Sequence, residues 1–213
     1  MADESLSALK LVEAALPIFG LRGVEGASTR EIAKASGKPM SAITYHFGGK
    51  EGLYLACARH ISTTLGGMLG TALDYQTPIN VAEARARLSQ LLSLLVNAML
   101  REETAPYVRF IFREQQEPTA AFDLVYGGVM GRVLTRLCEL TGIIAGGRIT
   151  DIEIRVRVIA LMGQVMGFRV ARAATLRLTG WSDLGDSERA LIDRVIQSHL
   201  KAILDHLEQE QPV

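Results

Sequence analysis

Apolar side chains recur at steps of three and four along nearly the whole chain. The first run, Leu6, Leu9, Val12, Ala15, Leu16 and Phe19, sets the pattern, and such steps put apolar groups on one face of an α-helix. Alternation in steps of two, the mark of a strand, is short and scarce. The pattern predicts an all-α protein of about nine helices, punctuated by glycine and proline. Helix one covers about residues 5–20, with Pro17 inside it and a glycine stop at Gly20 to Gly23. Helix two starts after Ser28 or Thr29 and stops at Gly37. A short third helix, about 41–47, starts at Ser41 and is broken by Gly48 and Gly49, and a fourth covers about 50–70.

The tract from Asp74 to Pro78 reads as a linker, and the next helix runs to about Arg101. Helices are then expected over about 104–117, 119–140, 150–178 and 186–209, with loops at Gly142 to Gly147 and around Gly180. The natural division is an N-terminal unit, residues 1–48, and a larger helical body, residues 49–213.

Composition narrows the function classes. The chain has 213 residues, 48% of them hydrophobic, enough to bury a real core. Its formal net charge is zero, so a polyanion partner must be sought in local charge. No apolar run reaches the length of a membrane span, and the acidic start, Met-Ala-Asp-Glu-Ser, lacks the basic region of a secretory leader. A cytoplasmic protein without a membrane partner is expected. Cys57 and Cys138 lie far apart and read as reduced, buried thiols. There is no phosphate-cradling glycine loop and no nucleophile elbow. His199 and His206, seven apart, share a helix face but do not make a closed metal site. No enzyme activity, cofactor or metal is therefore expected.

One stretch carries the candidate chemistry: STREIAKASGKPMSAITYHFGGKEGLY, residues 28–54. Two short helices joined by a tight glycine turn form a helix-turn-helix, which lays its second helix in the DNA major groove. Arg30, Lys34, Lys38 and Lys50 stand against Glu31 alone between residues 28 and 50, the local charge that phosphates require. Lys50 opens helix four, where an ammonium and a helix N-terminus can share a phosphate. Thr29, Arg30, Lys38, Met40, Ser41, Ala42, Thr44, Tyr45, His46 and Lys50 are the candidate DNA-contacting residues, with Ile43 and Phe47 pointing inward. Ala42 and the Thr44 methyl suit thymine methyls, and Tyr45 and His46 suit phosphates or base edges. The same stretch also reads as a helical hairpin around a buried aromatic anchor.

The stretch resembles the DNA-binding domain of the TetR family of transcriptional regulators. The matching residues are Phe19, Gly23, Thr29 to Ala33, Ala35 to Gly37, and Ile43 to Leu53. Two features depart from the usual pattern: Lys38-Pro39 before the recognition helix, and Thr44 where many members carry Tyr. Residues 110–130, FIFREQQEPTAAFDLVYGGVM, and 161–181, LMGQVMGFRVARAATLRLTGW, are similar to the CecR-like branch. The resemblance implies a DNA-binding repressor, a roughly palindromic operator in double-stranded DNA, and a body that forms a homodimer and, as often in the family, holds a small-molecule effector; the alternative is a DNA-binding regulator without an effector, whose body serves only dimerisation or partner docking.

The body offers two further patterns. Ala160, Gly163, Gly167, Ala171 and Ala174 follow three- and four-residue steps and allow a helix to approach closely. With Val195, His199 and Ile203 of the last helix, Gly163, Gly167, Ala171 and Ala174 form the candidate dimer surface. The same stripes can instead pack within one chain. Polar groups among apolar ones suggest an effector pocket from Tyr107, Phe110, Arg113, Gln164, Phe168 and Arg169. Arg113 can equally pair with Glu114 or Glu117.

Overall fold

The computed structural model describes residues 2–73 and 76–209. Eleven helical segments follow one another: α1 (Ala2–Gly26), α2 (Thr29–Ser36), α3 (Met40–Phe47), α4 (Lys50–Leu69), α5 (Val81–Leu100), α6 (Ala105–Gln116), α7 (Ala120–Val125), α8 (Gly131–Ala145), α9 (Asp151–Val170), α10 (Arg172–Thr179) and α11 (Asp186–Leu207). A short tight turn, Gly70–Leu73, precedes α5, and a wide turn, Tyr126–Met130, joins α7 to α8. No strand occurs among the described residues. The all-α expectation holds, and the helix count rises from nine to eleven because two expected helices are each broken once.

The breaks have local causes. The helix expected over 119–140 is interrupted at Gly128, whose φ of −89° and ψ of −114° are not helical. A Cβ there would lie 2.9 Å from the Cβ of Ser62, so only glycine lets the chain pass so close to α4. The helix expected over 150–178 breaks at Ala171. Its neighbour α8 runs past Gly142 to Ala145, where a loop was expected, because Thr141, Ile144 and Ala145 are all buried. Likewise α1 continues beyond Gly20 and breaks only at Gly23, with φ of 66°. Gly20 serves a different end. A Cβ there would meet the Pro106 carbonyl oxygen at 3.3 Å, so its bare backbone admits α6. Of the expected linker, Asp74 and Tyr75 lie outside the described residues.

Packing divides the chain into two units, Met1–Gly67 with Glu103–Gly131, and Met68–Glu102 with Arg132–Val213. The first is larger than residues 1–48, because α4 and α6 share its core with α1. Leu11, Ala15, Leu16 and Phe19 of α1, Ile32 of α2, Ile43 of α3, Leu53 and Ile61 of α4, and Phe110 of α6 are almost fully buried. The Tyr54 ring stands edge-on to Phe19 at 4.9 Å and tilted against Phe110 at 4.5 Å. Aromatic pairs in these arrangements add attraction beyond simple burial.

The second unit packs α5 against α11 and α9. Leu88, Leu91, Leu92 and Val96 of α5, Val158 and Val165 of α9, and Ile192, Ile196 and Leu200 of α11 are buried. Polar bonds fix the register of α5 on α11. Ser93 Oγ donates to Asp193 at 2.9 Å, Gln197 Nε2 donates to the Ser89 carbonyl at 3.0 Å, and Arg85 pairs with Asp205 and Glu208.

Candidate nucleic-acid interface

The turn between α2 and α3 is built by Gly37, which holds φ of 66° with nothing near where a Cβ would lie. The Lys38 amide closes the end of α2 on the Ala33 carbonyl at 3.1 Å. Pro39 precedes α3 and caps it, so the helix starts at Met40, one residue before Ser41. A proline costs no hydrogen bond there, because the first amides of a helix have no internal partner. Gly48, with φ of 74°, ends α3, and its amide reaches the Thr44 carbonyl at 2.9 Å. Gly52 then lets α4 leave at close quarters: a Cβ on it would lie 1.8 Å from the Phe47 carbonyl oxygen.

This scaffold fixes which side of α3 is presented. Ile43 is buried and Phe47 half-buried. Met40, Ser41, Thr44 and Tyr45 are exposed, and Ala42 and His46 are half-buried at the edges of that face. Tyr45 is 73% exposed, too open for a core anchor. Arg30 is exposed at the first turn of α2, beside half-buried Thr29, and Lys38 is half-buried in the turn. Lys50 stands at the first position of α4, with only a long 3.5 Å contact from its Nζ to the Glu25 carbonyl. The first amides of α4 and this ammonium therefore sit together at one helix start.

Two partners were not legible in the sequence. The Tyr45 hydroxyl donates to Glu4 Oε1 at 2.8 Å, and this bond to a carboxylate raises the phenol's pKa. Arg22 pairs with Glu31 at 2.7 Å, which occupies the lone acidic group of the 28–50 stretch. Both contacts join residues far apart in sequence, so no spacing signals them.

The candidate effector residues fall in both packed units. Tyr107, Phe110 and Arg113 belong to α6 in the first, and Gln164, Phe168 and Arg169 to α9 in the second. Phe110 is fully buried against Tyr54. Arg113 donates to Glu117 at 3.2 Å, and its guanidinium covers bare Gly23. The Tyr107 hydroxyl lies 3.4 Å from His60 Nε2, and burial raises its pKa. Arg169 faces Glu102 at 3.5 Å.

The candidate dimer residues share one surface of the second unit. Gly163 and Gly167 on α9, and Ala171 and Ala174 beyond it, are exposed, as are Val195 and His199 on α11, while Ile203 is half-buried. The structure adds apolar neighbours to this surface: Ile152, Val156, Ile159 and Val170 on α9, and Leu191 on α11, are all exposed. On α9, with Gly163 and Gly167 between Ile159 and Val170, they follow steps of three and four, opposite the buried Ile154, Val158, Leu161 and Val165. Gln164 Oε1 and His199 Nδ1, 2.9 Å apart, tie the two helices at this surface.

Among the described residues no helix is long and apolar enough to cross a membrane, and no group of three His, Cys, Asp or Glu side chains is placed to hold a metal ion.

Known proteins bear on this arrangement. Residues 11–57 match the family described as bacterial regulatory proteins, tetR family. Residues 84–207 match the C-terminal domain of the HTH-type transcriptional dual regulator CecR. The chain is 32% identical over 206 residues to the HTH-type transcriptional dual regulator CecR of Shigella flexneri, covering 94% of this chain and 92% of that protein. It is 46% identical over 50 residues to the HTH-type transcriptional repressor AcnR of Corynebacterium glutamicum, covering 24% of this chain and 27% of that protein. The fold matches the crystal structure of AibR in complex with isovaleryl coenzyme A and operator DNA, with a TM-score of 0.69 at 15% identity, over 91% of this chain and 97% of that one.

Proposed function

This chain belongs to the TetR family of bacterial transcriptional regulators, with a CecR-type C-terminal domain, and from that premise we propose that it acts as a homodimeric repressor released from its operator by a small molecule. The family and the relatives are DNA-binding regulators, not enzymes. Residues 1–48 form the DNA-contacting domain, and residues 49–213 the effector-binding and dimerising domain of a cytoplasmic protein. The observation that carries the reading is the exposed face of α3 between two left-handed glycines, with Lys50 beside it.

In this reading Ser41, Ala42, Thr44, Tyr45 and His46 enter the major groove. Arg30, Lys38 and Lys50 meet phosphates, and Thr29 and Met40 border the contact. A two-fold operator asks for a two-fold protein, and the exposed apolar stripe of α9 and α11 supports pairing through Gly163, Gly167, Ala171, Ala174, Val195, His199 and Ile203. An effector releases the operator only by binding the DNA-free conformation more tightly than the DNA-bound one. AibR, similar in fold, is seen in complex with both isovaleryl coenzyme A and operator DNA, which supports a fold that accepts a small molecule as well as DNA. The Shigella flexneri relative favours a second reading, in which the chain is a dual regulator rather than a repressor alone.

Sedimentation of the purified chain on a duplex carrying a selected site counts chains per duplex. An even number supports the homodimer, and a single chain overturns it.

A further inference from the structure

The second unit contains a cavity of about 320 Å³, lined by Thr71, Ala72, Gln76, Arg87, Gln90 and Arg136. None of the six effector candidates chosen from the sequence lines it. Among the described residues its wall holds two guanidinium groups and no carboxylate. Both cations converge on one neutral acceptor. The Gln76 carbonyl oxygen accepts from Arg87 Nη1 at 2.5 Å and from Arg136 Nη2 at 3.0 Å. Two like charges drawn to a single carbonyl repel each other, and a carbonyl dipole does not neutralise them.

The nearby anions compensate only in part. Glu83 pairs with Arg87 at 2.5 Å. Glu139 reaches Arg136 at 3.3 Å, but its side chain is 42% exposed and shares its charge with water. Arg136 itself is only 3% exposed, and its Nε is buried without a hydrogen-bond partner. A buried, incompletely satisfied cation is costly in a purely structural role and marks a candidate binding site.

The donor set says what fits. A guanidinium presents a planar fork that matches an oxyanion bidentately, and Thr71, Gln76 and Gln90 offer neutral donors around it. The volume lies at the small end of ligand pockets, which favours a small metabolite. We propose that this cavity binds the oxyanion head, carboxylate or phosphate, of a small organic acid through Arg87 and Arg136, and that this acid is the effector. The effector role rests on the repressor reading above; the site itself does not. Arg87 on α5 and Arg136 on α8 are brought under one ligand, and the anion replaces the Gln76 carbonyl as their shared acceptor.

Calorimetry on the full chain, at constant ionic strength, tests the site with three probes: inorganic phosphate, propionate and neutral propionamide. Saturable binding of phosphate or of propionate, with none of propionamide, is expected, and which anion binds tells the two head groups apart. Arg87→Gln should weaken that binding about tenfold or more, since it removes a charge-assisted bond. Arg136→Lys, which keeps the charge but loses the fork, should weaken it less. The absence of binding by both anions, equal binding by propionamide, or equal binding by the parent and Arg87→Gln would overturn the proposal. If the arginines only clasp the Gln76 carbonyl, Arg87→Gln lowers the melting temperature while neither anion raises that of the parent, and the proposal falls. Anisotropy of a labelled operator, first without anion, reports the DNA reading separately. An anion that binds the chain without changing operator affinity would overturn its role as effector.

Discussion

The Tyr54 hydroxyl donates to the Glu114 carboxylate at 2.6 Å, and this bond ties α4 to α6 in the core of the first unit. Glu114 is only 1% exposed, and it is held by two further donors, the Thr119 amide at 3.0 Å and the Thr119 hydroxyl at 2.8 Å. Burial first, then the bond to Glu114, pushes the Tyr54 phenol well above its ordinary range, so it stays a donor at every physiological pH. A buried carboxylate is tolerable only with such a full set of donors. Tyr54→Phe should therefore cost about 1.5–3 kcal/mol, the worth of a hydrogen bond to a charged group. Urea unfolding followed by circular dichroism measures it, and an unchanged midpoint would mean that Glu114 is satisfied without Tyr54.

Gly52 is fixed by space. A Cβ 1.8 Å from the Phe47 carbonyl oxygen has nowhere to go, because the obstacle is backbone. Gly52→Ala should destabilise the first unit by about 1–3 kcal/mol and displace the end of α3. Melting and operator affinity should fall together. A variant that melts lower but binds as well as the parent would separate this turn from DNA contact.

Lys50→Ala should weaken binding to every duplex alike and lower the slope of log affinity against log salt by about one, because it removes one phosphate contact. Among the described residues its Nζ makes the long contact to the Glu25 carbonyl, which contributes little, so folding should be little changed. Titrations of two unrelated duplexes at several salt concentrations check it.

The stripe on α9 predicts a mutation that separates assembly from folding. Ile159 is 59% exposed in the single chain, so Ile159→Asp should change monomer stability by no more than about 0.5 kcal/mol. Placed in a two-fold apolar interface, the same change buries an unpaired carboxylate from each of the two copies. Sedimentation should show the parent as a dimer and the variant shifted toward monomer.

Asp205 supplies a pH dependence. Hydrogen bonds from Lys201 and Arg85 hold its carboxyl below the ordinary value. A depressed acid contributes stability that is present above its unfolded pKa, near 3.9, and is lost as pH falls through the folded value. The parent should lose melting temperature more steeply between about pH 5 and pH 3 than Asp205→Asn, whose bond to Arg85 does not titrate.

The helical pattern and the exposed face of α3 were legible because both follow local rules. Gly37 and Gly48 sit where a helix must end in a left-handed residue, and their spacing frames α3. The breaks at Gly128 and Ala171 were not legible. Gly128 is set by a close approach to Ser62 from a distant helix, which periodicity does not encode. The same holds for Glu4 against Tyr45, and for Arg87 and Arg136, which meet at Gln76 from two helices far apart in sequence. In sequence Arg136 looks like one more polar position on an amphipathic helix, and only its burial sets it apart.

The most direct test of sequence-specific, two-fold DNA recognition is selection of bound sequences from a random duplex pool at physiological salt, with Lys50→Ala as control. A roughly palindromic consensus, with half-sites about one helical turn apart, is the predicted result. No enrichment over the control would contradict it.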